Sequence, residues 1–273
     1  MQTSQLSGLT RIIAILGYPI DHVLAPRAYN PAFDAEGLDW CLVPLSTHPD
    51  DLQDMLTLLV RTDNVLGLNV TIPHKVAACN HCSLLGPEAI RTGVVNTLRR
   101  EPDGRWAGES FDGVGFIQAA RQHGMLRTNR PALLVGTGGA GTAIAFALVE
   151  AGIGDLMLMD IDHERARKLA DKLIKQYPEL QVNVGLTHAS SAGLAVNATP
   201  MGLHSKDPLP FDPSILADDC AVFDIIAARD TELMAASSAR GLRTIGGRPM
   251  IDHQIAAQIA FWRGEHFLLE ERT

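Results

Sequence analysis

The sequence has no stretch of about 18 uninterrupted apolar residues, the length a helix needs to cross a bilayer core, so no membrane span is expected. It has no run of more than two Lys or Arg residues, and its formal charge is -8. A phosphate-tracking surface needs a clustered basic face, which excludes nucleic acid as a partner. Cysteine is scarce, with four in 273 residues; that usage reads as reduced thiols in a cytoplasmic protein rather than a disulfide scaffold. No basic region precedes the early apolar run "IIAILG", which reads as a first strand and not as a secretory leader. Internal repeats and low-complexity segments are missing too. The most informative absence is local. In "GYPIDHVLAPRAYN" (17–30) only Val23, Leu24, Ala25 and Pro26 lie between His22 and Arg27, so a turn shaped like a binding loop offers no side-chain hydroxyl.

What is present is a globular chain, 46% hydrophobic and 20% charged, long enough to bury one large core or two ordinary ones. Strand-like runs at Arg11 to Gly17, Trp40 to Leu45 and Val65 to Val70 alternate with helical stretches such as "HPDDLQDMLTLLVR". A second alternation begins after residue 112 with "ALLVGTGGAG". Repeated alternation of this kind predicts two α/β domains built on parallel sheets covered by helices.

The second domain carries a nucleotide signal. An apolar strand, Ala132 to Val135, runs into Gly136-x-Gly138-x-x-Gly141, and an Ala-rich helix follows at once. A second apolar strand, Leu156 to Met159, ends in Asp160, 24 residues after the first glycine. The glycines permit a tight turn and a close approach of backbone N–H groups at Gly138, Gly139 and Ala140 to a pyrophosphate, at a helix N-terminus that favours negative charge. Asp160, followed by Ile161, sits where a carboxylate accepts hydrogen bonds from the adenosine ribose hydroxyls. A 2′-phosphate there would face Asp160 and Asp162; like charges about 4 Å apart repel by several kcal/mol at an effective dielectric near 20. NAD is therefore expected over NADP, with Arg165 facing solvent or capping the local acids. Further on, "GLAVNATPMGL" reads as a buried strand ending at Asn197, Thr199 and Pro200, either beside the nicotinamide half or as an ordinary strand exit.

In the first half, "GLNVTIPHK" puts Asn69, Thr71 and Lys75 at a strand end and a helix start, "GVVNTL" supplies Asn96, and "GESFDGVGF" supplies Asp112 at the opening of a helix. Taken singly, each has a structural reading: a surface lysine, a helix cap, a turn residue. Taken together with "GYPIDHVLAPRAYN", "VGTGGAGTAIAFAL", "VNATPMGL" and "GRPMIDHQIAAQIAFW", they occur in the order and spacing of the shikimate/quinate dehydrogenase family, which the chain resembles over nearly its whole length.

The resemblance implies an N-terminal α/β substrate-binding domain (residues 1–113, with a returning helix from 248–273) and a C-terminal Rossmann domain (114–247), with the active site in the groove between them. It implies a proton-handling dyad at Lys75 and Asp112, and hydroxyl-binding positions at Asn69, Thr71, Asn96 and Gln254. The substrate would be a small cyclic polyol and the cofactor NAD, since "DID" replaces the Asn-Arg-Thr of NADP-selecting members. No metal is implied, and a homodimer is allowed. "HKVAACNHCSLL" holds Cys79 and Cys82 near His74 and His81, but a zinc site needs a second ligand pair.

Three departures stand out. The family's Ser-x-Ser-Pro, whose hydroxyls hold a substrate carboxylate, is replaced by Val23 and Ala25. A hydrogen bond to a charged group is worth about 1.5–3 kcal/mol, so losing two weakens a carboxylated substrate roughly a hundredfold to many thousandfold. In "VFDIIAARDTELM" one residue is missing before Thr231, and a substrate-side contact is expected to go with it. Tyr29 stands where His is usual. The expectation is a dehydrogenase with changed specificity; the runner-up readings are poor use of shikimate or quinate with Arg27, Tyr29 or Arg248 recapturing the acid, and an NAD-binding sensor that has lost turnover.

Overall fold

The computed structural model describes residues 6–265 and 268–272. By contact density the chain forms two units, one of residues Met1–Phe111 with Gln254–Thr273, the other Asp112–His253.

The first unit follows the strand and helix runs of the sequence. It comprises β1 (Arg11–Gly17), α1 (Ala25–Ala35), β2 (Trp40–Ser46), α2 (Leu52–Val60), β3 (Val65–Val70), α3 (Lys75–His81), β4 (Leu84–Leu85), α4 (Pro87–Thr92), β5 (Thr97–Arg100) and β6 (Trp106–Glu109). The second contains α5 (Asp112–Gln122), β7 (Ala132–Val135), α6 (Gly139–Glu150), β8 (Asp155–Met159), α7 (His163–Gln176), β9 (Gln181–Val184), β10 (Leu194–Asn197), β11 (Ala221–Asp224), α8 (Glu232–Ala239) and β12 (Arg243–Ile245). Helix α9 (Arg248–Trp262) begins in the second unit and, from Gln254, belongs to the first, which β13 (Glu270–Glu271) completes.

The second sheet is parallel throughout, in the order β12-β11-β10-β7-β8-β9. Its inner strands β7, β8, β10 and β11 read as largely apolar, buried runs, as expected of a parallel sheet covered on both faces. Helix α5 lies tightly on α6: a Cβ added at Gly113 would stand 2.8 Å from the Ala147 Cβ.

The first sheet, ordered β13-β4-β6-β5-β3-β1-β2, corrects the expectation of an all-parallel sheet. β5 runs antiparallel to both β3 and β6, and β13 antiparallel to β4. The reason is connection length. Only residues 101–105, "EPDGR", join β5 to β6, with Gly104 at φ 80°. A turn that short reverses the chain, whereas a parallel crossover needs about a dozen residues. The reversal has a functional consequence: the start of β5 lies at the same sheet end as the finishes of β1, β3 and β6.

The C-terminal half of α9 is bound to that sheet by Trp262. Its indole N–H donates to the Leu98 carbonyl at 3.0 Å, and its ring packs edge-on to Tyr29 and Phe33 of α1 at 6.0 and 6.3 Å. Gly67 on β3 makes room for it, since a Cβ there would meet the Leu98 oxygen and the Trp262 ring at 2.5 Å. No helix among the described residues is long and apolar enough to cross a membrane.

Gly67→Ala should therefore destabilise the first unit by about 1–3 kcal/mol, the usual penalty of overpacking a filled site. The midpoint of urea unfolding measures this. Gly154→Ala, where an added Cβ meets nothing within 4 Å, should stay within about 0.5 kcal/mol of wild type.

Candidate functional site

One end of the first sheet gathers the sequence-selected residues of the N-terminal half. The strand exits after β1 and β3 are tied together, Thr71 N–H donating to the Leu16 carbonyl at 2.9 Å and Tyr18 N–H to the Ile72 carbonyl at 2.9 Å. Gly17 lets the Thr71 side chain lie against the first strand, for a Cβ at Gly17 would stand 2.5 Å from Thr71 Cγ2. His74 is buried and bonds through Nε2 to the Thr47 carbonyl at 2.8 Å, so it braces the loop after β2 rather than serving as a ligand. Lys75 opens α3 and is only 9% exposed, which rules out the surface-lysine reading. Asp112 is buried too and opens α5 as the first residue of the second unit.

Asn69, near the end of β3, is 5% exposed, and its Oδ1 has no hydrogen-bond partner. Leaving a buried acceptor unsatisfied costs about 1–3 kcal/mol. Across the sheet Asn96 is engaged in a different way. Its Oδ1 accepts from Phe111 N–H at 3.0 Å and from the Thr97 hydroxyl at 2.9 Å, and its Nδ2 donates to Gln254 Oε1 at 2.8 Å. Asn96 is thus not a simple turn residue, and Gln254 reaches it from α9. Ser110, which sequence reasoning passed over, is buried next to this cluster in the chain with an unpartnered Oγ; its only signal was its place two residues before Asp112.

The loop between β1 and α1 keeps its apolar character. Ala25 is buried as the first residue of α1, and Val23 and Leu24 are half-buried. Of the three side chains considered for recapturing a carboxylate, two are engaged elsewhere. Tyr29 is 2% exposed and donates to Gln258 Oε1 at 2.5 Å, Arg248 pairs with Asp252 at 2.8 Å, and Arg27 is exposed.

In the second unit the finishes of the adjacent strands β10, β7 and β8 bring together the predicted cofactor residues. Gly136 has φ 98°, a left-handed value that favours glycine. A Cβ at Gly141 would lie 1.9 Å from the Gly136 oxygen, whereas one at Gly138 would meet nothing within 4 Å. Gly138 caps α6 without a side-chain hydrogen bond, leaving the first N–H groups of that helix to an outside acceptor. Tight turn, close packing and open approach are what a dinucleotide pyrophosphate requires, so this cradle fits the group.

Asp160 has more partners than its sequence neighbours alone suggest. It is buried, and five hydrogen bonds converge on its carboxylate: from Thr137 N–H and hydroxyl at 2.7 Å each, Asp162 N–H at 3.0 Å, and Arg165 at 2.5 and 3.1 Å. Burial alone would raise this carboxyl, but the Arg165 guanidinium and the N–H donors outweigh it and hold it at about 2. The acid is thus not surrounded by acids alone. The first turn of α7 carries Arg165 back onto it, capping it as one of the two sequence readings has it. Ile161 is 96% exposed beside the pair.

The Asn197 side chain is engaged within the protein. It is fully buried and donates to Asp224 Oδ1 at 2.9 Å and to the Met201 carbonyl at 3.0 Å, while its Oδ1 accepts from Thr199 N–H and hydroxyl. It shapes the loop that carries half-buried Thr199 and exposed Pro200. Thr231, on the shortened segment, donates to Asp224 Oδ2 at 2.7 Å and caps α8. Cys79 and Cys82 are buried, burial pushing the Cys82 thiol well up.

The family model of the shikimate dehydrogenase substrate binding domain matches residues 15–98. The shikimate dehydrogenase (NADP(+)) of Rubrobacter xylanophilus is 36% identical over 270 residues, covering 97% of this chain and 94% of its own. Shikimate 5-dehydrogenase from Thermus thermophilus, solved with NADP(H) and shikimate, is 33% identical with a TM-score of 0.82, covering 93% of this chain and 94% of that one. Quinate dehydrogenase from Corynebacterium glutamicum, solved with NAD, is 28% identical with a TM-score of 0.81 over 95% of each chain.

Glu109 is a further group that sequence reading missed. It is 3% exposed, and its Oε1 accepts from Ala89 N–H at 2.8 Å and Ser110 N–H at 2.7 Å. Burial raises its carboxyl from 4.5 to about 7, against the pull of those N–H groups. The folded chain then binds a proton that the unfolded chain releases, so stability should fall as pH rises from about 4.5 to about 7. The loss is on the order of 3 kcal/mol at most. Glu109→Gln keeps the acceptor and should remove this part of the slope, as urea unfolding at about pH 5 and pH 8, either side of the raised value, would register.

Proposed function

The chain belongs to the shikimate dehydrogenase family, and from that premise we propose that it transfers hydride reversibly between NAD and a secondary alcohol of a shikimate- or quinate-like cyclic polyol. The observation that carries this reading is the unpartnered Asn69 Oδ1, buried at the sheet end that also holds Thr71, Lys75 and Asn96. A hydroxyl donated to that oxygen removes the penalty of an unsatisfied acceptor, so ligand binding completes a hydrogen-bond set the protein leaves open. Asn69, Thr71, Asn96 and Gln254 hold the ring hydroxyls in this proposal.

Oxidation requires the hydroxyl proton to leave as hydride leaves the carbon. Lys75 Nζ takes that proton as the general base, and Asp112 is assigned the carboxylate role of the dyad that family membership implies. A bound nicotinamide would supply the hydride acceptor; the residues of the chain supply orientation and proton handling. Gly136, Gly138, Gly139, Ala140 and Gly141 would hold the pyrophosphate, with Thr199 and Pro200 on the neighbouring strand exit.

Substrate choice in this proposal turns on Val23 and Ala25. Neither side chain has a donor for a carboxylate, and Tyr29 and Arg248 are already engaged. We therefore assign a substrate whose end group at this loop is uncharged.

Cofactor choice turns on the Asp160–Arg165 pair. A 2′-phosphate could recruit Arg165 only by breaking a bidentate contact and leaving a buried carboxylate without its cation, whereas a ribose diol need not. This supports NAD, although the Rubrobacter relative is named for NADP(+).

Initial rates with NAD and NADP, against shikimate, quinate and a panel of uncarboxylated cyclic polyols, test these assignments. NAD-linked turnover of a polyol should exceed that of the acids by about tenfold or more, because a carboxylate set against Val23 and Ala25 loses hydration and gains no side-chain donor. Lys75→Ala should reduce it by roughly 10²–10⁴-fold, the usual worth of a general base. Efficient turnover of shikimate would overturn the uncharged-substrate assignment, and a wild-type preference for NADP would overturn the cofactor assignment. Asp160→Asn frees Arg165, so the ratio of NADP to NAD in kcat/KM should rise about tenfold or more, consistent with one charge-assisted contact.

A further inference from the structure

The buried polar chain that starts at Asn96 does not end at Gln254. Gln254 Oε1 accepts a second hydrogen bond, from Gln258 Nε2 at 3.2 Å, and Gln258 Oε1 accepts the Tyr29 hydroxyl proton at 2.5 Å. Every member is buried: Asn96, Gln254, Gln258 and Tyr29. Gln254, Gln258 and Trp262 recur at intervals of four and so share one face of α9. That face presents Gln258 to Tyr29 of α1, whose ring is held against Phe33 at 6.2 Å and Trp262 at 6.0 Å.

The donor and acceptor roles along the chain are determined from its ends. A backbone N–H such as that of Phe111 can only donate, so the atom of Asn96 facing it must be the oxygen. The other Asn96 terminus is then the amide NH₂, which makes the facing atom of Gln254 its oxygen. That oxygen can receive Gln258 only through its NH₂, which turns the Gln258 oxygen toward Tyr29, whose hydroxyl is the donor that satisfies it. Both ends agree on one orientation of each amide. The consequence for Gln254 is that its oxygen is consumed inside the protein and its Nε2 is the donor end.

We propose that Tyr29 and Gln258 are positioning residues that hold the Gln254 amide with its NH₂ toward substrate, so that the substrate atom it meets is an oxygen acceptor. This rests on the reading of Gln254 as a substrate-binding residue. Without the Tyr29 hydroxyl, the Gln258 oxygen is left buried and unpartnered. Gln258 then gains by turning its amide or its χ angles, and Gln254 loses one of its two fixed donors. The Tyr29 position, where the family resemblance places His, and Gln258 act as one device in this assignment.

The test uses Tyr29→Phe, Gln254→Ala and the double variant in the full-length protein, with the best alcohol of the panel above as probe. Tyr29→Phe should raise KM for the alcohol about tenfold, leave KM for the nicotinamide cofactor within about twofold, and have no further effect on kcat/KM in the Gln254→Ala background. Gln258→Leu should reproduce the Tyr29→Phe pattern. If Gln254→Ala lowers kcat/KM but Tyr29→Phe changes it less than about twofold, or if the two losses multiply, the positioning role is wrong while the substrate reading of Gln254 stands. If Gln254→Ala itself leaves kcat/KM unchanged, the underlying reading fails and this proposal with it. A variant that merely loosens the fold would lower the thermal midpoint and affect both KM values together, which also counts against positioning.

Discussion

Phe111 N–H, a donor that cannot change its role, anchors the polar core of the first unit. Through Asn96 it dictates the orientation of Gln254, and through Gln254 that of Gln258 and the Tyr29 hydroxyl. Leaving a buried amide donor or acceptor unpaired costs about 1–3 kcal/mol, which favours one orientation of each amide. The arrangement therefore couples three pieces distant in the chain: the start of β5, helix α1 and the returning half of α9. Trp262 supplies the apolar part of the same attachment, seated over Gly67 and bonded to Leu98. What remains unsatisfied within this otherwise saturated region, Asn69 Oδ1 and Ser110 Oγ, stands out because its surroundings are complete.

The second unit solves a different problem, the accommodation of phosphate and ribose. Its glycines act by lacking a side chain, Gly141 for close packing and Gly136 for a left-handed turn. Asp160 acts through its neighbours. An isolated buried carboxylate would repel a phosphate and be costly to ionise, yet with Arg165, Thr137 and the Asp162 N–H around it the charge is neutralised locally. In the proposed reading, cofactor choice then depends on a competition for one guanidinium rather than on the sign of a single residue. Asn197, Asp224 and Thr231 form a comparable closed set beneath the loop that carries Thr199.

Chain pattern made much of this legible. Apolar runs identify β1, β3 and β7 to the residue, because strands buried on both faces are continuous hydrophobic segments bounded by polar loops. Gly136-x-Gly138-x-x-Gly141 declares its turn because only glycine meets its steric demands. Asn69 and Lys75 lie close in sequence, so one strand and one helix start suffice to associate them. The loss of hydroxyls at Val23 and Ala25 is equally visible, since the missing chemistry is a matter of side-chain identity.

Other features were hidden because they depend on which distant atoms face each other. The antiparallel β5 required knowing that "EPDGR" turns back along the sheet. Arg165 meets Asp160 only once the first turn of α7 winds back toward the end of β8. Glu109 gains its raised carboxyl from being enclosed against α4, and Tyr29 gains its partner from α9, 229 residues along the chain. The sequence by itself determined the two α/β units, the glycine turn and the residue types available at each strand end, since periodicity and covalent identity are local properties. Only the tertiary structure decided which donor meets which acceptor, because hydrogen-bond direction and burial arise when segments remote in the chain exclude water together.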